Sequence, residues 1–370
     1  MKKYFFQLKE LDFIALLPIV VLLGFSLMTI YALSQGLATG DFSNFEKQVL
    51  FIFLGALVFL GFFLIDYRIW LGYSGILYLL GVLLMLAVLF WGVTIRNTSG
   101  WFVVGPFSLQ PAEAMKFFLI ISLASYFHKQ ATSGVTWKEI IISFVYVSVP
   151  SFLAIQQPDM GSVLVMVAIW GVMIFVAGLN WKQIATLFLV GVGILFLSWT
   201  FLLHDYQKKR LESFLEPQRD PQGSGYNVIQ SMVAVGAGGA RGQGLGAGSQ
   251  SQLNFLPEKH NDFIFASIAE QSGFLGTSLI FLMLGLLFWR IKRAVDFAAN
   301  NFGKLLATGV LTFLFFQTFI NIGMNIGVVP VAGISLPLVS YGGSFLLITL
   351  ASLGLVQSVR RISSQHKSHF

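Results

Sequence analysis

Apolar runs of about twenty residues recur along most of this chain, and no other feature constrains its fold as strongly. At 1.5 Å per residue, a helical run of that length matches the ~30 Å hydrocarbon core of a bilayer. Backbone groups in lipid must pair within their own segment, so each run is expected to be a helix. Ten runs fit, near residues 12–34, 47–65, 70–92, 112–128, 139–156, 160–178, 182–203, 262–289, 305–328 and 339–359. The expected fold class is therefore all-α. It is one polytopic membrane domain over residues 1–370, with a long loop, about 204–261, between the seventh and eighth spans.

Composition narrows the function. The chain is 56% hydrophobic and 11% charged and contains no cysteine, which excludes disulfides, thiolate metal sites and a cysteine nucleophile. The net charge of +7 is assigned to orientation and lipid headgroups, not to nucleic acid. Met1 to Glu10 is basic, but the run behind it is long enough to span, so it is expected to be a first transmembrane helix and not a cleaved leader. Ten spans put both termini on one side. With that side inside, inner positions carry 14 Lys and Arg, against 2 in the short outer loops, Lys47 and Arg96. Both termini are thus expected to be cytoplasmic, and the long loop faces outward.

The outward segments hold the shaped, polar sequence: 93–111, 156–160, 329–344 and the long loop. Asp262 follows Lys259-His260-Asn261 and precedes an apolar run. Two readings stand: a helix cap favoured by the helix dipole, or a general base at the membrane boundary. Glu270 lies eight residues on, about 12 Å deeper along a helix, and either pairs structurally or lines a substrate cavity. Glu113 and Lys116 share a helix face and either pair with each other or open Lys116 to a cavity, with Asp159 as its partner. Asp159 also suits the N-cap of the next span. Gly236 to Gly248 has seven glycines in thirteen residues but no Gly-Lys-Ser/Thr, so it is not a P-loop. It is either flexible loop or backbone in close approach to phosphate. The loop cations Arg210, Arg219, Arg241 and Lys259 are either solvated or phosphate contacts. The five histidines lack metal-site spacing.

An ordered set of motifs then stands out over nearly the full length. It begins with Gly105-Pro106, Gln110-Pro111-Ala112-Glu113 with Lys116, and Gln157-Pro158-Asp159-Met160-Gly161. It continues through His204-Asp205-Tyr206 with Arg210, Asp220-Pro221, and Gly223-Ser224-Gly225-Tyr226 with Gln230-Ser231. It ends with Gly248-Ser249-Gln250-Ser251-Gln252, Phe255-Leu256-Pro257-Glu258, His260-Asn261-Asp262-Phe263-Ile264-Phe265, and Pro337 with Ser340-Tyr341-Gly342-Gly343-Ser344. With these motifs the chain resembles the SEDS family (shape, elongation, division and sporulation) of bacterial cell-wall proteins, and its elongation, or RodA, type more than its division type.

The resemblance implies a peptidoglycan glycosyltransferase. Such an enzyme polymerises lipid II at the outer face of the bacterial cytoplasmic membrane during elongation and rod-shape maintenance, releasing undecaprenyl pyrophosphate. It implies that Asp262 is the essential catalytic residue. The substrate-binding or cavity set carried by these motifs and their neighbours is Lys116, Glu113, Asp159, Arg210, Gln250, Glu258, Lys259, His260, Glu270 and Ser340. It further implies a divalent cation, Mg²⁺ or Mn²⁺, a class B penicillin-binding protein as partner, and other membrane proteins of the elongation complex. Two positions depart from the pattern: Asn261 stands where Thr is common, and Gly100 precedes Trp101 where Arg is common. Arg96 is the nearest substitute for that arginine. A lipid II flippase and a scaffold that only recruits the crosslinking enzyme are the alternative functions.

Overall fold

The computed structural model describes residues 10–35, 41–95, 98–105, 107–130, 134–197, 214, 216, 224–253, 255–256 and 258–367. The helices in chain order are α1 Phe13–Gln35, α2 Ser43–Leu64, α3 Ile69–Trp91, α4 Pro111–Gln130, α5 Trp137–Gln156 and α6 Met160–Gly178. Then come α7 Trp181–Leu197, α8 Ser224–Ala237, α9 Ser249–Gln252, α10 Ile264–Asp296, α11 Asn301–Asn325 and α12 Gly343–Lys367.

Among the described residues, eight helices are long and apolar enough to cross a membrane: α1, α2, α3, α5, α6, α10, α11 and α12. The runs expected at 112–128 and 182–203 fall on α4 and α7, which lie outside that set. The paired Glu113 and Lys116 and the buried Ser122 and Ser125 lower the hydropathy of α4. Their partners are protein, so an inward-facing helix tolerates them. Arg360, Arg361 and Lys367 fall in the last turns of α12.

The centre of the bundle is α11 and α12. Burial reaches 78% and 83% of their most apolar windows, against 22% for α3 at the periphery. The helix α12 packs along α2, α3 along α4, and α11 against α4, α6 and α10. Small residues permit the closest contacts, as they do wherever membrane helices gain little from hydrophobicity alone. A Cβ at Gly354 of α12 would lie 2.4 Å from the Phe59 carbonyl oxygen of α2.

A small antiparallel sheet caps one end of the bundle, within the outward segment 93–111. Its strands are β1 Val93–Ile95, β2 Thr98–Val104 and β3 Phe107–Leu109, in the order β1-β2-β3. Trp101 pairs with Val93, and Phe102 with Leu109. The stretch is rich in β-branched and aromatic residues, with Gly105 at a positive φ of 59° in the β2–β3 turn.

Candidate active site

At the end of the bundle that carries the sheet, stretches far apart in sequence enclose a cavity of about 470 Å³. Trp101 and Ser108 come from the sheet, Gln110 and Glu113 from the start of α4, and Asp159 from the turn before α6. Glu258 and Asp262 precede α10, Gly333 and Ser335 lie between α11 and α12, and Ser344 opens α12. Four carboxylates therefore face one space.

The last turn of α11 positions Asp262. The cap residue of α10 is Phe263, whose side chain makes no capping bond. Asn325 takes over that task from a distance: its Oδ1 accepts the Ala266 N–H at 3.0 Å. Its Nδ2 donates to the Asp262 carbonyl at 2.9 Å. Asn321, one turn earlier, donates to the same carbonyl at 2.9 Å and to Ile334 O at 2.7 Å. Ser340 Oγ donates to Asn261 O, and Tyr341 N–H donates to His260 O, at 2.7 and 2.9 Å. Three consecutive carbonyls ahead of α10 are thus pinned from α11 and from the segment before α12. Gly333, at φ 66°, passes close to Asp262, and a Cβ there would sit 3.7 Å from its Oδ2. Asn325 thus meets a free N–H at the head of α10, and Asp262 borders the cavity.

Sequence reasoning missed Asn321 and Asn325. Two amides spaced i, i+4 in the apolar stretch FINIGMN were the available signal, since buried amides demand partners.

The other acids divide by role. Glu113 borders the cavity and accepts from Lys116 Nζ at 2.7 Å, while Lys116 lies behind it, 1% exposed and 5.8 Å from the Phe313 ring centre. Asp159 does not pair with Lys116. It caps α6, accepting from Ser162 N–H at 3.0 Å and from Ser162 Oγ at 2.7 Å, and it takes the Gln110 side-chain amide at 2.9 Å. Glu258, at φ 51°, accepts from Asn261 Nδ2 at 3.0 Å. A non-glycine residue held in the left-handed region marks a backbone dictated by its surroundings. At Gly100 a Cβ would come 2.9 Å from Gln157 Oε1, so an arginine there requires Gln157 to move. Arg96 and Arg210 lie outside the described residues.

Gln250, Lys259, His260, Glu270 and Ser340 lie outside the cavity lining, in the frame around it. Glu270 is fully buried and accepts the backbone N–H groups of Gln250 at 2.7 Å and Ser251 at 3.0 Å, anchoring the first turn of α9. Lys259 is buried and donates to Ser251 O. Burial pushes its pKa below the usual lysine value, and nearby Glu270 opposes that shift.

The glycine run docks on a break in α10. Gly273 leaves helical geometry at φ 62° and ψ −158°. The groups this frees pair with the run. Gln243 and Gly244 N–H donate to Glu270 O and Gln271 O, at 2.9 and 3.1 Å. Phe274 and Leu275 N–H donate to Gly239 O and Ala240 O, at 2.9 and 3.2 Å. Side chains do not fit, since a Cβ at Gly242 would lie 2.2 Å from Gln271 O. The expected close approach is present, but to protein backbone, and those amides are not offered to phosphate.

The described residues contain no group of three His, Asp or Glu able to hold a metal alone. The donor chemistry still fits an Mg²⁺-like ion shared with substrate phosphates, which takes one or two carboxylates. Glu113 supplies a buried Oε2 without a hydrogen-bond partner, beside the carboxylate-lined cavity.

Bundle and cavity together define a polytopic membrane protein with a carboxylate-rich site at one membrane face. The family model of the FtsW/RodA/SpoVE cell cycle proteins matches residues 10–365, and the chain belongs to this family. It is 35% identical to the peptidoglycan glycosyltransferase MrdB of Escherichia coli K12, over 97% of this chain and 95% of that protein. It is 36% identical to the stage V sporulation protein E of Bacillus subtilis, over 95% and 97% of the two chains. A chain from a structure on the coordination of polymerization and crosslinking by a peptidoglycan synthase complex superposes with a TM-score of 0.81 at 30% identity, covering 96% of this chain and 99% of that one. The rod shape determining protein RodA of Thermus thermophilus superposes with a TM-score of 0.71 at 25% identity, covering 95% and 97%. The chain is accordingly an integral protein of the bacterial cytoplasmic membrane, of the RodA-like elongation type.

Proposed function

We propose that this chain is a peptidoglycan glycosyltransferase that polymerises lipid II at the outer membrane face during elongation, with Asp262 as general base. One observation carries the reading: Asp262 stands at the start of a membrane helix, its backbone fixed by Asn321 and Asn325, and opens to a cavity lined by four carboxylates. The full-length similarity to a named peptidoglycan glycosyltransferase supports it.

In this reading Asp262 accepts the proton of a sugar 4-hydroxyl as the oxygen bonds to the anomeric carbon of the lipid-linked strand. The bond from that carbon to the pyrophosphate breaks, and its electron pair leaves on the lipid pyrophosphate. General-base help of this kind contributes about 10²–10⁴-fold. Glu113, whose Oε2 has no hydrogen-bond partner, would hold a divalent cation beside the cavity, and that ion would neutralise charge on the departing pyrophosphate. Glu113 keeps Lys116 paired beside the cavity, and Asp159 holds Gln110 and the start of α6 in place. An apolar groove of about 360 Å³ between α10 and α11, lined by Phe281, Phe288, Phe315 and Phe319, runs to Val328, three residues before Val331 of the cavity lining, and suits a polyprenyl tail. The charge bias supports a cytoplasmic position for both termini. The neighbour, from a complex that coordinates polymerization and crosslinking, supports a class B penicillin-binding protein as partner; other elongation-complex membrane proteins complete the proposed set.

The test is purified Asp262→Asn protein given lipid II, assayed with and without divalent cation. Loss of glycan product in a protein that melts like wild type is expected. Retained polymerisation would remove Asp262 from the mechanism, and full activity in chelator would remove the cation.

A further inference from the structure

The far end of the bundle carries a second charged cavity that the polymerisation chemistry does not use. It measures about 560 Å³ and is bounded by Arg290, Arg293 and Phe297 of the α10 end, Arg360 and Ser364 of α12, and Ile14 of α1. We propose that it binds the phosphate of an anionic phospholipid from the leaflet opposite the active site. The proposal goes beyond the polymerase reading and takes from it only the orientation, which makes that leaflet cytoplasmic.

Charge is the first argument. Three guanidiniums line the cavity, and two of them, Arg290 and Arg360, meet one carboxylate, Asp12. Arg290 Nε donates to Asp12 Oδ2 at 2.7 Å, its Nη2 reaches the same oxygen, and Arg360 Nε lies 3.4 Å from it. Arg290 and Asp12 are both buried, and Arg290 and Arg293 both repel Arg360. Nearby acids have cations of their own: Asp296 accepts from Lys292 at 2.6 Å, and Glu10 and Asp66 attract Arg361. The cavity therefore keeps an excess of two positive charges among the described residues. One anion placed there relieves that repulsion.

Donor supply is the second argument. Arg293 lies over the faces of Trp289 and Phe297, 5.4 and 5.5 Å from their ring centres. Ring faces hold a guanidinium without consuming its N–H groups. Those donors, with the ones Arg360 keeps beyond its single contact with Asp12, suit the oxygens of a phosphodiester.

The rim favours a lipid over free phosphate. Ile14, Trp289 and Phe297 are about half exposed, and Phe13 is more so. An inorganic ion leaves that apolar surface bare, whereas acyl chains cover it while the headgroup sits on the arginines. Basic pockets between membrane helices on the cytoplasmic side recognise anionic headgroups in this way.

The experiment uses the purified full chain in neutral detergent, with phosphatidylglycerol and phosphatidylcholine of matched chains as probes and native mass spectrometry as readout. Wild type should retain phosphatidylglycerol in preference to phosphatidylcholine. Arg293→Gln with Arg360→Gln should weaken that retention about thirtyfold, the product of two basic contacts at a membrane surface. Arg293→Lys with Arg360→Lys keeps the charge but not the stacked fork, and should restore retention only in part. Unchanged retention in the glutamine variant overturns the proposal. Equal displacement by inorganic phosphate at matched concentration makes this a free-phosphate site and overturns the lipid assignment. Should the glutamine variant not fold, wild-type melting decides: phosphatidylglycerol must raise the midpoint above that in phosphatidylcholine, and equal midpoints reject the site. Polymerisation from lipid II by the folded glutamine variant should match wild type, so failure here is separable from failure of the Asp262 mechanism.

Discussion

Asn325 does more for the site than its apolar neighbourhood suggests. It caps α10 from another helix and helps hold the Asp262 carbonyl, so its loss strands the Ala266 N–H and leaves that carbonyl to Asn321 alone. Asn325→Ala should cost about 1–3 kcal/mol, the usual penalty of a buried group left without its partner. As a positioning residue it should lower kcat more than it raises KM, and unaltered kinetics in the folded variant would deny it that role. Lys259 gives a second residue-scale prediction. Its folded pKa lies below the unfolded 10.5, chiefly through burial. Between the two values the unfolded chain binds more protons, so stability rises with pH across that window, and the full cost of the buried ammonium is felt below it. Melting of wild type in detergent should therefore improve toward pH 10.5, and Lys259→Met should flatten that rise. Parallel curves would show that Lys259 is not responsible. Both asparagines were visible in the sequence as misplaced polarity, but not as a cap, because a remote cap has no local spacing.

At the scale of elements, the glycine run and α10 form one unit. The run supplies hydrogen bonds at the break around Gly273, so the N-terminal part of α10, just behind Asp262, can leave regular helix without stranding backbone groups. Gly242→Ala would press a methyl against Gln271 O at a φ of 78°. A loss above about 2 kcal/mol is expected from the clash and the backbone conformation together. Thermal melting should fall and polymerisation fail with Asp262 still present. Melting close to wild type would mean that the run does not brace the helix. The composition of this run was plain in the sequence. Its partner was not, because the run and α10 are joined through backbone atoms, and backbone pairing leaves no side-chain signature. The sheet was missed differently: its strands are short, and membrane periodicity dominates the surrounding sequence.

At the scale of the whole molecule, the two charged cavities lie at opposite ends of one bundle, one rich in carboxylates and the other in arginines. Orientation therefore decides which leaflet each one meets. The absence of cysteine makes this directly measurable with single-cysteine variants. Arg241→Cys, exposed in the loop beside α10, should react with an impermeant maleimide in spheroplasts. Asn301→Cys, exposed at the start of α11, should react only after lysis. The reverse pattern would invert the topology and move the active site to the cytoplasm.

Sequence alone determined the helical membrane class, the placement of most spans, the family and the acid at the head of α10. Each of these rests on local or ordered signals: run length, charge bias and motif order. Tertiary structure decided which carboxylates share a cavity, that Glu270 anchors the loop, that Asp159 caps α6 and leaves Lys116 to Glu113, and that α11 holds Asp262 in place. These are contacts between segments tens to hundreds of residues apart. Their geometry follows from how the helices pack, which no local spacing encodes.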